Sequence, residues 1–429
     1  MTELEKARLI IDEADAEIAA AFEKRMNAVR EIAAYKASHG LPVFDEKREK
    51  ELLERNSLRI GDASLREDYK TVLRSLTDVS KTYQRRLINE KDSGRLRAEL
   101  GKNSYDIIIK RGAIDFFTAL TGISGKALIV TDDGVPAEYA RTLCGQLPEA
   151  YIYTLPQGEA SKSPEQFGLL TAFMLEKGFT RKDCVIACGG GVPGDLAGFV
   201  SACYMRGIGF YNFPTTLLAQ VDSSVGGKTA IDFHGLKNVL GAFHQPKTVV
   251  IDPDVLSTLP RRQKANGLAE AVKMSLTSDE ELFGLLEREG MQAEITEVIR
   301  RSVKIKKNIV EADEKEAGLR SVLNFGHTVG HAIESTQPSG GLLHGECVAL
   351  GMLTACSEEV RERLVPLLRK LGIKTKVSFD TEKVISAIRH DKKAGGETVR
   401  TVYVPRPGTF EFREMTPEEI GKTLSVIRE

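Results

Sequence analysis

A chain of 429 residues has room for two or three domains, and 41% hydrophobic with 28% charged residues is the composition usual for soluble globular proteins. Its 60 basic and 61 acidic side chains nearly cancel, so a net charge of −1 gives no general field to attract nucleic acid or an anionic membrane. The six cysteines (144, 184, 188, 203, 347 and 356) are scattered and no leader or membrane span stands out, which points to free thiols in a reducing cytoplasm.

Residues 3–38 contain neither proline nor glycine, and their apolar residues Leu4, Ile11, Ile18, Phe22, Val29 and Ile32 recur at helical spacing. HGLP (39–42) stops that helix, Asp45 can cap a second running to about Arg59, and Asp62 or Ser64 a third to about Glu90. Residues 1–92 thus read as an all-α domain. DSGRLRAELGKNS, which follows, reads as a linker over 93–104.

From Tyr105 the period changes to that of strands. YDIIIK, KALIVTDD, AYIYTL, DCVIACGGG, GFYNFPTT and TVVIDP are short apolar runs, most of them separated by helical stretches, and that alternation predicts an open α/β sheet over 105–255. Cys184 and Cys188 fall in the apolar run DCVIAC with no second pair after it, so they read as buried strand residues and not as metal ligands. Beyond Pro253 helices dominate until KTKVSF and VRTVYVP, so 256–429 is expected to be a mostly helical domain.

Gly189, Gly191 and Gly194 in CGGGVPGD stand in G-x-G-x-x-G order, after an apolar strand and before a helix. There, backbone amides and a helix N-terminus can approach a pyrophosphate. No strand ends in an acidic residue about 20 positions later, where the usual ribose contact belongs. SSVGGKTA has the outline of a phosphate-binding loop, but Asp222 replaces its first glycine and would repel a triphosphate, which excludes an NTPase of that class. Lys228 remains as a cation near the nucleotide site.

Three of the seven histidines, His327, His331 and His344, fall in NFGHTVGH and LLHGE, with Glu270 upstream in NGLAEAVK. Clustered imidazoles with a carboxylate suit a divalent metal such as zinc, and three protein ligands leave a position open for substrate. Spacing alone pairs His327 with His331, since i and i+4 share a helix face.

GGGVPGD, ACYMRG, FPTTLLAQVDSSVGGKTAID, GLAEAVK, LNFGHTVGHAIE and LHGE, in this order, resemble the 3-dehydroquinate synthase family over about 105–429. The resemblance implies conversion of 3-deoxy-D-arabino-heptulosonate 7-phosphate to 3-dehydroquinate, with catalytic NAD and a divalent metal, zinc or alternatively cobalt. It assigns the metal to Glu270, His327 and His344, and makes His331 a proton-transfer or phosphate-contact residue. NAD would meet Gly158, Glu159, Lys162, Gly191, Gly194, Asp195, Thr215, Thr216, Lys228, Lys237 and Thr258, with Asp132 reaching the adenine ribose. Asp222 joins the catalytic set. Lys273, Lys306 and Arg320 are implied for the substrate carboxylate, and Lys228, Asn238, Asn324 and one of Lys392 or Lys393 for its phosphate. Arg206 in YMRG resembles a residue that crosses a dimer interface, so a homodimer is expected. The implied reaction runs through oxidation at C5, β-elimination of phosphate, return of hydride, ring opening and an intramolecular aldol closure. A sister sugar-phosphate cyclase or a polyol dehydrogenase is the alternative on this fold.

Residues 4–90 resemble the all-helical chorismate mutase family through RLIIDEADAEI, KRM, EIAAYK, LPVFDEKRE and SKTYQ. Chorismate is a dianion whose rearrangement accelerates when cations hold both carboxylates and polarise the ether oxygen. The matching positions are Arg8, Arg25 and Ser80 for carboxylates and Lys36 and Gln84 for the ether oxygen. The resemblance implies that Arg48 and Glu49 help position the substrate and that Asp45 serves its hydroxyl end. Arg25 and Lys36 share a helix face, about 20° apart by a turn of ~3.6 residues, whereas Arg8 lies roughly 25 Å from Arg25 along the axis. One small dianion cannot span that, so Arg8 is expected to serve a site in a second chain. The alternative is a helical module that only dimerises or senses chorismate or prephenate.

Overall fold

The run without proline or glycine forms a single helix, α1 (Glu3–His39), followed by α2 (Glu46–Ser57) and α3 (Arg66–Lys91). The computed structural model describes residues 2–39, 46–91, 94–338, 341–390 and 398–429, which divide into two compact units, Met1–Gly94 and Arg95–Glu429. Asp62 accepts the amide of Ser64 and caps a short 3₁₀ turn, Ala63–Leu65, that leads into α3. In this first unit α3 packs along α1 and α2, and Val29, Ala33 and Leu73 are the buried apolar side chains among the described residues.

The second unit is built on a seven-stranded sheet. Its strands are β1 (Arg95–Ala98), β2 (Tyr105–Ile109), β3 (Ala127–Asp132), β4 (Ala150–Leu155), β5 (Cys184–Gly189), β6 (Gly209–Pro214) and β9 (Thr248–Ile251). A separate antiparallel ribbon pairs β7 (Lys228–Phe233) with β8 (Leu236–Phe243), and a second pairs β10 (Val399–Tyr403) with β11 (Glu411–Met415). The sheet order is β1-β2-β9-β6-β5-β3-β4, parallel except for β1 against β2.

Both faces of the sheet are covered, as apolar runs without alternation require. On β3 and β5, Leu128, Val130, Val185 and Ala187 point to one layer, while Ala127, Ile129, Ile186 and Cys188 point to the other. Burial pushes the thiols of Cys184 and Cys188 up to about 12, in keeping with inert strand residues.

Three expectations need correction. The stretch read as a linker over 93–104 contains β1, which pairs along β2, with Arg95 and Arg97 outward and Leu96 and Ala98 inward. Charged outward residues made this edge strand read as loop. KTKVSF forms no strand of its own and contributes a single bridge, Val377 to Arg428. Finally, one hydrophobic cluster runs from Ala98 and Ile107 through Ile251 to Leu350 and Ile427. The boundary expected between 255 and 256 therefore falls inside a shared core.

Candidate functional site

Five loops meet at the carboxyl ends of the parallel strands, where open α/β sheets bind ligands. After β5, Gly189–Gly194 turns into the helix Gly191–Cys203, whose N-cap Gly190 supplies no side-chain cap and leaves the first amides open. Asp132 ends β3, Gly158–Lys162 follows β4, Thr215 and Thr216 follow β6, and Thr258 closes the turn after β9. The expected cofactor residues other than Lys228 and Lys237, which lie on the β7–β8 ribbon, thus fall at one end of the parallel strands although they span residues 132–258. Asp132 is buried and its carboxylate accepts the amide of Gly134 at 2.9 Å, so it also holds its own loop. Thr258 meets the hydroxyl of Tyr139 at 3.1 Å.

Lys162 is buried beside Asp195 (2.7 Å) and also contacts Asn238. Its backbone carbonyl accepts the amide of Asp232 at 2.8 Å, which ties the Gly158–Lys162 loop to the β7–β8 ribbon. Together Glu159, Lys162, Asp232, Phe233 and His234 line a cavity of about 420 Å³. Gly226 and Gly227 lead Lys228 into a strand. A phosphate-binding loop opens a helix, so the NTPase reading fails in the fold as well.

The histidines come from two helices that nearly touch. His327 and His331 lie on His327–Thr336, and His344 opens His344–Thr354. A Cβ on Gly351 would fall 1.8 Å from the carbonyl of Gly326, and Gly326 itself has φ +77°, so glycine at both places lets these helices close up. The three ring centroids are then 5.1, 5.3 and 5.6 Å apart, and one nitrogen from each ring lies within 4.8 Å of the others. Helix Arg261–Ser278 adds Glu270, fully buried, with Oε1 3.5 Å from Nε2 of His344.

Neither oxygen of Glu270 has a hydrogen-bond partner of proper geometry, although Lys273 lies against it. Three imidazoles clustered about one point, with a buried carboxylate beside His344, fit a divalent metal such as zinc. Burial and the nearby Lys273 charge hold His327 well below the usual imidazole range, which keeps its lone pair available. Burial alone would lower His344 too, but the carboxylates of Glu270 and Glu334 on either side of the ring override this and lift it to about 9.

Asp222 is the hub of the cations. It sits in a π-helical turn, Ala219–Ser223, a distortion frequent at functional sites, with Lys273 Nζ at 3.2 Å and Lys306 on its other oxygen. Lys306 also donates to its backbone carbonyl at 2.7 Å. Burial would raise the carboxyl of Asp222; the two ammonium groups prevail and hold it well below the usual carboxylate range. Arg320, buried, donates to the carbonyls of Gly226 (3.1 Å) and Glu314 (2.5 Å).

Two acids that the sequence reading did not single out join this network. Glu316 contacts Lys228 and accepts Asn324 Nδ2 at 3.2 Å, and Glu334 lies one turn beyond His331. Glu334 was within reach of pattern reading, because 327, 331 and 334 fall on one helix face. Glu316 gave no such signal, lying in a loop with φ +58°. Arg206 stands apart: it is exposed at the end of the turn Tyr204–Arg206, and among the described residues no hydrogen bond or ion pair joins it to this cluster. Lys392 and Lys393 lie outside the described residues.

In the first unit, Arg25 donates to the carbonyl of Leu76 at 3.0 Å and contacts Ser80, while Gln84, buried one turn further on, leaves Oε1 without a partner. Arg25 and Ser80 thus come together between α1 and α3, with Gln84 one turn beyond Ser80 on α3, and Lys36 is half-buried on α1. Arg8 is exposed near the start of α1. Asp45 lies outside the described residues, as do the side chains of Arg48 and Glu49 on α2.

Comparison with known proteins agrees with both halves. Residues 152–266 match the family profile "3-dehydroquinate synthase N-terminal", 267–394 match "3-dehydroquinate synthase C-terminal", and 7–85 match "Chorismate mutase type II". A 3-dehydroquinate synthase from Lactococcus lactis subsp. cremoris is 40% identical over 358 residues, covering 77% of this chain and 99% of its own length. Among solved structures, a 2-epi-5-epi-valiolone synthase from Streptomyces hygroscopicus with NAD+ and Zn2+ bound superposes with TM-score 0.70 at 28% identity, covering 75% of this chain and 96% of that one. A 2-deoxy-scyllo-inosose synthase complexed with carbaglucose-6-phosphate, NAD+ and Co2+ gives TM-score 0.71 at 23% identity over 77% and 99%, which shows a shared fold. The chain belongs to the 3-dehydroquinate synthase family and carries a chorismate mutase type II domain ahead of the synthase.

Proposed function

We propose that the chain has two activities: release of phosphate from 3-deoxy-D-arabino-heptulosonate 7-phosphate to give 3-dehydroquinate, and rearrangement of chorismate to prephenate. The observation that carries the first is the cluster of three imidazoles, with the buried Glu270 carboxylate against His344, beside the buried cations Lys273, Lys306 and Arg320. Glu270, His327 and His344 hold the metal, zinc or cobalt, and the loops at the carboxyl ends of β3, β4, β5, β6 and β9 hold NAD. When bound, the metal supplies Lewis acidity to neighbouring substrate hydroxyls and NAD a reversible hydride acceptor.

The chain's own groups do the rest. Lys273, Lys306 and Arg320 bind the substrate carboxylate. Asp222 offsets the burial of both lysines: with Glu270 it lifts Lys273 above the ordinary lysine range, while burial still leaves Lys306 below it. Lys228, Asn238 and Asn324 receive the phosphate, which displaces Glu316 from Lys228. His331, exposed beside the ligand pair, moves protons to and from the solvent side.

In the first unit, Arg25 and Ser80 hold a chorismate carboxylate, and Gln84 with Lys36 polarises the ether oxygen. The unpaired Oε1 of Gln84 is consistent with a polar ligand in that place. A homodimer fits this unit as well. Leu4, Leu9, Ile10, Ile11, Ile18 and Phe22 of α1 are exposed, more apolar surface than an isolated three-helix unit covers. Arg8, beyond the reach of Arg25, then completes a site in the second chain. Among the described residues no helix is long and apolar enough to cross a membrane, and the six cysteines are unpaired, which suits a reducing cytoplasm.

The test uses purified full-length protein. Phosphate release from the heptulosonate phosphate should require NAD and a divalent ion, and should fall at least a hundredfold on chelation. Chorismate consumption should persist after chelation and disappear in Arg25→Ala. Phosphate release indifferent to NAD, or chorismate loss no faster than in buffer, would remove the corresponding half of the proposal.

A further inference from the structure

Glu334 belongs to neither the ligand set nor the substrate contacts assigned above, yet it links them. Its Oε2 lies 3.1 Å from Nδ1 of His344, and its Oε1 accepts Lys237 Nζ at 2.7 Å. His344 consequently lies between two carboxylates, with Nε2 toward Glu270 and Nδ1 toward Glu334. The Glu334 side chain is 20% exposed, so water competes weakly for it.

An imidazole offers a metal one nitrogen, and the partner of the other nitrogen decides which. A carboxylate that accepts Nδ1–H fixes the ring orientation, leaves the Nε2 lone pair free and makes it a stronger donor. Glu334 is itself held from a different element, because Lys237 is the second residue of β8. The chain of contacts His344–Glu334–Lys237 therefore fastens the β7–β8 ribbon, which carries part of the proposed cofactor site, to the helix pair that carries the imidazoles.

We propose that Glu334 is the positioning residue of the metal centre: it sets His344 to ligate through Nε2, and Lys237 braces it from the ribbon. The inference rests on the reading that His344 is a metal ligand.

The experiment is a titration of metal-free full-length protein with Zn2+ or Co2+ against a competing chelator. Glu334→Gln keeps the shape and removes the charge; it should weaken metal affinity by about 10–100-fold with an unchanged far-ultraviolet circular dichroism spectrum. It should also move the visible absorption bands of the bound Co2+. Glu334→Ala should weaken binding at least as much, and Lys237→Met should do so by less than tenfold while leaving the carboxylate in place. Affinities within twofold of the parent for both Glu334 variants would overturn the inference. His344→Ala separates this failure from that of the underlying reading. If His344→Ala abolishes tight binding while Glu334→Gln does not change it, only the positioning role falls. If the parent binds no stoichiometric metal, or His344→Ala binds as tightly as the parent, the ligand assignment falls and the role of Glu334 with it.

Discussion

Asp222 faces two ammonium groups in a site from which water is largely excluded, and this makes it the most exposed point of the electrostatic design. Removing one partner of a buried charge cluster leaves the rest uncompensated, which costs about 3–5 kcal/mol. Lys273 keeps Glu270 as a second partner, so Asp222→Asn should lose about 3 kcal/mol of stability, the low end of that range, with Lys306 bearing most of the deficit. Urea unfolding of the metal-free protein measures it, and a loss under about 1 kcal/mol would mean the lysines find other partners. The carboxyl of Asp222 is held below its unfolded value, so its contribution is present above the ordinary carboxylate range and fades as pH falls through the folded value. The family resemblance already places this residue in the catalytic set, whereas local pattern alone gives a different reading. In the sequence it is the misfit that spoils a phosphate-binding loop, and only the fold shows that it faces Lys273 and Lys306, more than 50 positions away. Spacing likewise pairs His327 with His331 but is silent on His344 and Glu270, because convergence of separate helices leaves no local period.

Between elements, Asp252 has the analogous task. It follows β9, and its carboxylate accepts the amides of Gly112 (3.0 Å), Ile114 (3.1 Å) and Asp254 (2.9 Å), tying the end of β9 to the chain leaving β2. Burial outweighs these bonds and pushes its pKa up to about 6. The folded value lies above the unfolded one, near ~3.9, so folding takes up a proton between them. The stabilisation is complete below pH ~4 and is lost as pH rises through about 6. The stability difference between the parent and Asp252→Asn, followed by urea unfolding from pH 4 to 7, should therefore decline across that window and level off above it. A difference independent of pH would mean that the carboxyl stays ionised throughout.

The same scale explains what sequence patterns revealed. Of the six apolar runs that became β2, β3, β4, β5, β6 and β9, all but the edge strand β4 are largely buried, so composition alone marks them. The β7–β8 ribbon went unread because β8 is exposed along most of its length and contains Lys237, Asn238 and Gly241, residues poor in strand signal.

At the scale of the molecule, the question is where one folding unit ends and the next begins. The stretch over 93–104 looks dispensable by composition, yet Ala98 is buried in the same cluster as Ile107 and Ile251, and Arg97 pairs with Asp106 across the strands at 3.1 Å. Deleting β1 uncovers the edge of β2, a row of unpaired amides and carbonyls next to the apolar residues Ile107 and Ile109. A chain starting at Arg95 should therefore be soluble and monodisperse and release phosphate at the rate of the full-length protein, while losing all chorismate turnover. A chain starting at Tyr105 keeps every proposed synthase residue. It should nevertheless unfold at lower urea concentration and aggregate at micromolar concentration, with residual turnover only in freshly prepared samples. Size-exclusion chromatography and urea unfolding of the two truncations decide the matter. Equal stability of both would make residues 95–104 a tether and return β1 to the role of linker. A failure of both would mean that the synthase half depends on the helical unit for folding, which its own continuous core argues against.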